Sequence, residues 1–144
     1  MLNLLKNKKF DQVGSQDEKN QIFASILLEC AKEDGEISDL EKSKIKFLLV
    51  SKLKLEDDEA ALLFEKTLKL SKNRVEMYSL TREIRENFDK DEIIKILEYM
   101  WLIVLSDGKL DDFEAALMSN AVGLFHLTGR ESAEARKKAE KNLI

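Results

Sequence analysis

The chain of 144 residues is long enough for one domain with its own hydrophobic core. It has no proline and five glycines, which favours long helices, and it lacks the β-branched and aromatic runs that indicate strands. The net charge of -4 argues against a nucleic-acid-binding protein, and no apolar run is long enough to span a bilayer. Because Cys30 is the single cysteine and residues 1–10 form no convincing signal peptide, we expect a cytoplasmic protein without an internal disulfide.

The first seventeen residues are predicted to be an N-terminal segment and linker, with the domain itself at residues 18–144. Residues 1–10 combine leucines with lysines and are predicted to form a short amphipathic helix. Residues 11–17 are polar, contain Gly14-Ser15 and are predicted to form the linker. Docking of residues 1–10 on a protein partner, peripheral contact with an anionic membrane, and a frayed or self-packed end all stay open.

Three helices are predicted next from apolar residues spaced three and four apart. The first spans about residues 18–33 and ends at Asp34-Gly35, because glycine readily adopts the left-handed conformation that follows a helix. Ser38 and Glu41 are a predicted capping box at the start of the second helix. Acidic residues 56–59 open the third. The residues predicted to be buried are Ile22, Phe23, Ile26, Leu27 and Cys30, then Ile45, Leu48, Leu49 and Leu53, then Leu62, Leu63, Phe64 and Leu68.

Four further helices follow a predicted break at residues 71–73. Asp89 is the predicted cap of the fifth helix, whose middle at residues 99–105 is apolar nearly all round and is therefore expected at the centre of the bundle. Asp107-Gly108 ends that helix, and Asp111 with Glu114 repeats the capping pattern. Thr128-Gly129 is a predicted break before a charged helix at residues 131–141. The fourth and sixth helices are marked by Met77, Tyr78, Thr81, Ile84 and Phe88, then by Leu117, Met118, Ala121, Val122 and Phe125.

One short pattern occurs twice, about 73 residues apart. It reads Asp-Gly-x-(Ile/Leu)-(Ser/Asp)-Asp-x-Glu and covers residues 34–41 and 107–114. The apolar residues that follow also correspond, because Ile45, Leu48 and Leu49 match Met118, Ala121 and Val122 at the same offset. The sequence therefore predicts an all-α, single-domain bundle of about seven helices. Two helix–turn–helix units, each with one acidic turn, form an internal pseudo-twofold repeat and are joined by two more helices.

The chain resembles the TerB-like, or tellurite resistance protein B, family. Residues 24–41, residues 100–114 and the region from Tyr78 with its following helix carry the resemblance, which covers roughly residues 21–141. It implies an all-helical fold with pseudo-twofold symmetry and a link to stress responses that include tellurite resistance. No DnaJ-type segment is present, so the chain resembles the stand-alone form of the domain.

The resemblance also implies that the acidic turns form a metal site or a partner-docking surface. Carried over to this chain, the residues concerned are Asp34, Glu41, Asp107 and Glu114. The chain departs from related sequences at Leu105-Ser106, where a small residue and alanine are usual. Lys109 stands where the first turn has Glu36, which reduces the negative charge and argues against strong metal binding there.

Three interpretations of the acidic turns stay open. Helix capping explains the glycines and the glutamates, but it explains less well the aspartate before each glycine. An acidic surface for a basic protein partner is the second, and a divalent cation such as calcium, bound by carboxylate oxygens, is the third. The turns are not EF-hands, because the early ligand positions hold Cys30 and Lys32 in one copy and Ile103 and Leu105 in the other. A cation would therefore need ligands from both turns or from water.

The sequence favours a non-enzymatic interaction or regulatory module in a stress response. The alternative is a divalent-metal-binding protein with a composite carboxylate site. Paired carboxylates acting as acid and base need a pocket and unlike environments, whereas these turns are expected to be wet. His126 and Cys30 are expected to have structural roles, and neither a zinc cluster nor a phosphate loop is present. We therefore expect no catalytic residue and no certain cofactor.

Overall fold

The computed structural model describes residues 2–32, 36–71 and 77–143, with side chains from residue 16 onward. Within these ranges the chain forms seven α-helices and no β-strand, so the predicted all-α fold is confirmed. The helices are α1 (Leu2–Ala31), α2 (Asp39–Leu53), α3 (Asp57–Ser71), α4 (Met77–Asn87), α5 (Lys90–Val104), α6 (Asp112–Leu124) and α7 (Gly129–Lys141).

Helix α1 is continuous from Leu2 to Ala31. The predicted linker conformation at residues 11–17 is therefore wrong. An isolated glycine costs a helix only about 1 kcal/mol relative to alanine, so Gly14 does not end a helix that has favourable residues on both sides. The division into a segment at residues 1–17 and a domain at residues 18–144 stays a prediction.

The helices form two units, α1 to α3 and α5 to α7, which are joined by α4. In the first unit α1 packs against α3, in the second α5 packs against α7, and α1 and α5 also contact each other. Helices α2 and α6 follow the two acidic turns in chain order and contact α1 and α5 respectively. The predicted internal repeat is confirmed for the pairs α1–α2 and α5–α6, whereas the surroundings of the second helix differ, because α2 packs against α3 and α6 packs against α4.

The buried faces of the repeat correspond closely. Ile45, Leu48 and Leu49 of α2 are buried, as are Met118 and Ala121 at the equivalent positions of α6. The apolar middle of α5 is largely buried, as its composition predicts, with Leu97, Met100 and Val104 in the core. Its Trp101 donates a buried hydrogen bond from Nε1 to Ser132 Oγ at 3.3 Å, which joins α5 to α7.

Helix α3 buries Phe64 as predicted, and Leu63 and Leu68 are partly buried against the core. Leu62, also predicted to be buried, is 73% exposed, and Ala60 and Thr67 are buried instead. The threonine is tolerated in the core because its hydroxyl donates to Leu63 O at 2.7 Å and accepts from the side-chain amide of Gln21 at 2.8 Å. Tyr78 of α4 is likewise exposed, and Leu80 is buried instead.

Both repeated helices end near a residue with a positive φ. This residue is the C-cap Lys54 in α2, with a φ of 55°, and His126, which follows the C-cap Phe125, in α6, with a φ of 59°. Thr128-Gly129, predicted as a break, begins α7 with a capping box: Thr128 Oγ1 accepts from Glu131 N at 3.1 Å, and Glu131 Oε1 accepts from Thr128 N at 2.9 Å. No helix in the described part of the chain has the length and apolar character needed to cross a membrane.

Candidate functional site

The second acidic turn is held by its own backbone. Gly108 has a φ of 80°, a conformation that glycine adopts without strain, and its N–H donates to Leu105 O at 3.0 Å. Asp107 is exposed, and its Oδ1 accepts from Lys109 N at 3.1 Å. The remaining carboxylate oxygen of Asp107 is therefore presented to solvent by a fixed turn.

The capping box predicted at the start of α6 is present. Asp111 Oδ1 accepts from Glu114 N at 2.7 Å, and Glu114 Oε1 accepts from Asp111 N at 3.2 Å. Glu114 is only 9% exposed. Local helix chemistry therefore accounts for both residues, and it occupies one of the two carboxylate oxygens of Glu114.

Glu114 lies where several acidic groups meet. Burial raises the pKa of its carboxyl group, and the charges of Asp111 and Asp107 raise it further, against the lowering effect of the Asp111 N–H. Burial also raises the pKa of the Cys30 thiol strongly, with added contributions from Glu29 and Glu114. Glu114 at the start of α6 is therefore within electrostatic range of Cys30 near the end of α1.

The first acidic turn is described from Glu36 onward. Asp34, a predicted site residue, lies outside the described residues. Glu36 and Asp39 are exposed, and Ser38 Oγ accepts from Glu41 N at 3.2 Å, which confirms Ser38 as the cap of α2. Glu41 is half-buried, and its Oε1 lies 3.9 Å from Lys44 Nζ. Glu41 and Glu114 thus hold equivalent places at the starts of the two repeated helices.

Two exposed apolar residues stand inside the acidic pattern. Leu40 is 64% exposed and Phe113 is 69% exposed, and each directly precedes the glutamate of its motif. Neither capping nor metal binding requires a large apolar side chain at this position. The motif leaves this position variable, although the offset of about 73 residues pairs two bulky apolar residues there, which is the sequence signal that identifies them.

Comparison with known families places the chain. A family model described as "Tellurite resistance protein TerB" matches residues 20–137. The chain belongs to the TerB family. Comparisons with curated proteins and with solved structures gave no significant match.

For this TerB-family chain the metal site stays a prediction. Among the described residues, no three or more histidine, cysteine, aspartate or glutamate side chains are grouped so that they could hold a metal ion. Asp34 is outside those residues, so the predicted set of Asp34, Glu41, Asp107 and Glu114 is not tested as a whole. Within the second turn, capping uses Asp111 and Glu114 and leaves the carboxylates of Asp107 and Asp112 available.

The single histidine of this TerB-family chain lies in the turn after α6, and the single cysteine lies in the core. His126 is exposed and adopts the left-handed conformation that ends α6. Cys30 is buried on the inner face of α1. A buried thiol with a raised pKa is a poor nucleophile, because the thiolate is the reactive form.

Proposed function

We propose that this TerB-family protein is a non-enzymatic interaction module that docks a basic protein partner in a stress response linked to tellurite resistance. The docking surface consists of the two acidic turns with the apolar residue in each, and we call it the acidic–apolar surface. Its exposed members are Glu36, Asp39, Leu40, Asp107, Asp111, Asp112 and Phe113.

The observation that carries this proposal is the paired exposure of Leu40 and Phe113. Most of the binding energy of a protein interface comes from a few large side chains that become fully buried, surrounded by residues that exclude water. An exposed leucine alone is ordinary, because much of any protein surface is apolar. A bulky apolar residue at the same place in both acidic turns is a repeated feature, and it suits an anchor for a partner.

The exposed carboxylates specify the charge of that partner. Opposite charges across an interface favour correct partners and raise the association rate, and salt weakens the effect. A partner with lysine or arginine side chains around apolar pockets complements Asp39 beside Leu40 and Asp112 beside Phe113. Hydrogen bonds within the chain hold the starts of α2 and α6, through Ser38 in the first and through Asp111 and Glu114 in the second.

The alternative proposal is that the turns bind a divalent cation. The crowding of Asp107 and Asp111 around Glu114 favours it, because a cation would relieve the repulsion that contributes to the raised pKa of Glu114. Calorimetric titration with calcium, magnesium and manganese tests it. Saturable binding that is lost on combining Asp34→Asn with Asp107→Asn would support the cation, and the absence of saturable heat would exclude it under the conditions used.

Affinity capture with immobilised protein tests the docking proposal. One variant, Leu40→Ser with Phe113→Ser, removes the anchors, and its control is Leu62→Ser, which removes an equally exposed leucine from α3. A second variant, Asp39→Asn with Asp107→Asn and Asp112→Asn, removes three charges. Its control removes three exposed charges elsewhere through Asp57→Asn, Glu65→Gln and Glu83→Gln.

The proposal predicts that the same protein is retained by the wild type and by both controls, and that both test variants lose it. Raising the salt concentration should release it from the wild type. Retention by both test variants at the level of their controls would show that the turns are only structural.

A further inference from the structure

A groove separate from the acidic–apolar surface lies between α2, the end of α5 and the residues that follow α7. Its volume is about 310 Å³, at the small end of the range of about 300–1,000 Å³ that ligand pockets occupy. Its walls are mainly apolar and are formed by Phe47, Leu48, Leu102, Ile103 and Leu143.

The polar side chains that line the groove are mostly satisfied by the chain itself. Each of three polar side chains donates a hydrogen bond to a carbonyl oxygen three or four residues earlier in the chain. These donors are therefore used, and the groove interior favours an apolar ligand body. The bonds are Ser43 Oγ to Asp39 O at 3.1 Å, Ser106 Oγ to Ile103 O at 2.7 Å, and Asn142 Nδ2 to Lys138 O at 2.9 Å.

The charged group in the lining is the ammonium of Lys44. Its Nζ lies 3.9 Å from Glu41 Oε1, which is beyond hydrogen-bond distance. An ammonium has three N–H donors, so Lys44 can also bind an anionic group at the groove. Lys44 is therefore the cation that the groove lining offers to an anionic group.

One wall of the groove is an aromatic ring that the protein leaves exposed. Phe47 is 63% exposed. Covering apolar surface is favourable by roughly 25 cal/mol for each Å² removed from water. A ligand with an apolar body gains from that ring, and a charged head gains from Lys44.

We propose that the groove binds a small free amphiphile, namely a single alkyl chain that carries one carboxylate. The alkyl chain lies against Phe47, Leu102 and Leu143, and the carboxylate contacts Lys44. The groove has room for about ten non-hydrogen atoms if each occupies roughly the 30 Å³ of a water molecule. This matches the ten carbon atoms of a medium-chain fatty acid such as decanoate, whose two carboxylate oxygens then lie at the edge beside Lys44. The proposal does not depend on the function of the acidic turns.

Titration with decanoate, followed by two-dimensional NMR below its micelle concentration, tests this inference. The matched ligand is 1-decanol, which has the same chain length and no charge. We expect saturable shifts for residues around the groove, and decanoate should bind at least about fivefold more tightly than decanol.

Two pairs of variants separate the groove from the rest of the surface. Ser43→Phe fills the groove, and its control is Ser51→Phe. Both serines are exposed on α2, and each hydroxyl donates to a carbonyl oxygen four residues earlier: Ser43 to Asp39 O, and Ser51 to Phe47 O at 2.8 Å. Lys44→Met removes the charge, and its control is Lys42→Met on the same helix. We expect Ser43→Phe to weaken decanoate at least tenfold, and Lys44→Met to weaken decanoate but not decanol.

Several results would overturn the inference. These are the absence of saturable binding by the wild type, equal binding by Ser43→Phe and Ser51→Phe, or equal affinity of the wild type for decanoate and decanol. Co-sedimentation with phosphatidylglycerol vesicles in the absence of decanoate binding would also overturn it, because the site would then recognise a membrane. Should Ser43→Phe fail to fold, the Lys44→Met comparison still decides.

Discussion

Cys30 near the end of α1 and Glu114 at the start of α6 lie within electrostatic range of each other, although they belong to different units of the repeat. Burial is the largest cause of the raised pKa of the Cys30 thiol, and the carboxylates of Glu29 and then Glu114 add to it. The raised pKa of the thiol predicts that Cys30 reacts slowly with alkylating agents.

Cys30 should resist alkylation in the folded protein. Thiols react through the thiolate, and burial with a raised pKa leaves almost none of it at neutral pH. With iodoacetamide at pH 8, mass spectrometry should show negligible modification in buffer and full modification in denaturing urea. Rapid alkylation in buffer would mean that the end of α1 opens readily.

Replacing both exposed anchors should leave the fold intact. Leu40 and Phe113 are mostly exposed, and surface substitutions of this kind usually change the free energy of unfolding by no more than about 0.5 kcal/mol. Urea denaturation of Leu40→Ser with Phe113→Ser should therefore resemble that of the wild type. A loss of several kcal/mol would show that these side chains pack within the protein instead of serving a partner.

The cap of α6 should contribute measurably to stability. Asp111→Ala removes the side chain that accepts from Glu114 N, and loss of such a cap costs about 0.5–2 kcal/mol. Its neighbour Asp112 is exposed and makes no cap, so Asp112→Ala is the control and should cost less. Chemical denaturation of both variants measures the difference, and equal losses would contradict the assignment of Asp111 as N-cap.

Glu114 and Glu131 should give stability opposite dependences on pH. Both hold the same position in a capping box, but burial raises the pKa of Glu114, while the Thr128 N–H and Lys90 lower that of Glu131. A raised folded-state pKa means that stability falls as pH rises above the ordinary value of 4.5, and a lowered one means that stability falls as pH drops through that value.

The two glutamine variants measure these dependences. The free energy of unfolding of Glu114→Gln, relative to that of the wild type, should be higher at pH 7 than at pH 4. That of Glu131→Gln, relative to the wild type, should be lower at pH 7 than at pH 4. Denaturation curves at both pH values test this, and a shared direction for the two variants would refute the electrostatic difference.

Local signals predicted much of the fold from the sequence. Ser38, Asp89 and Asp111 were identified as caps because capping depends on residues only three positions apart. The repeat was visible because it preserves the turn and the buried positions after it. Thr128 with Glu131 carried the same capping signal, but Gly129 was interpreted as a break because glycine commonly ends helices.

Tertiary contacts decided what local patterns could not. Helix α3 has two possible apolar faces, and packing against α1 selects the one with Phe64 and Thr67 over the one with Leu62. Helix α1 continues through Gly14 because the helix is slightly lower in free energy than a break there, and no short motif reveals so small a difference. The exposure of Leu40 and Phe113 was not predicted either, because exposure depends on which helices surround a residue.

The most direct test of the docking proposal is the dissociation constant of the partner retained by affinity capture, measured with purified proteins for the wild type and two variants. Leu40→Ser with Phe113→Ser should bind at least about tenfold more weakly, which corresponds to about 1.4 kcal/mol and to the loss of an interface anchor. Leu62→Ser should bind as the wild type does. Equal dissociation constants for all three proteins would contradict the acidic–apolar surface as the docking site.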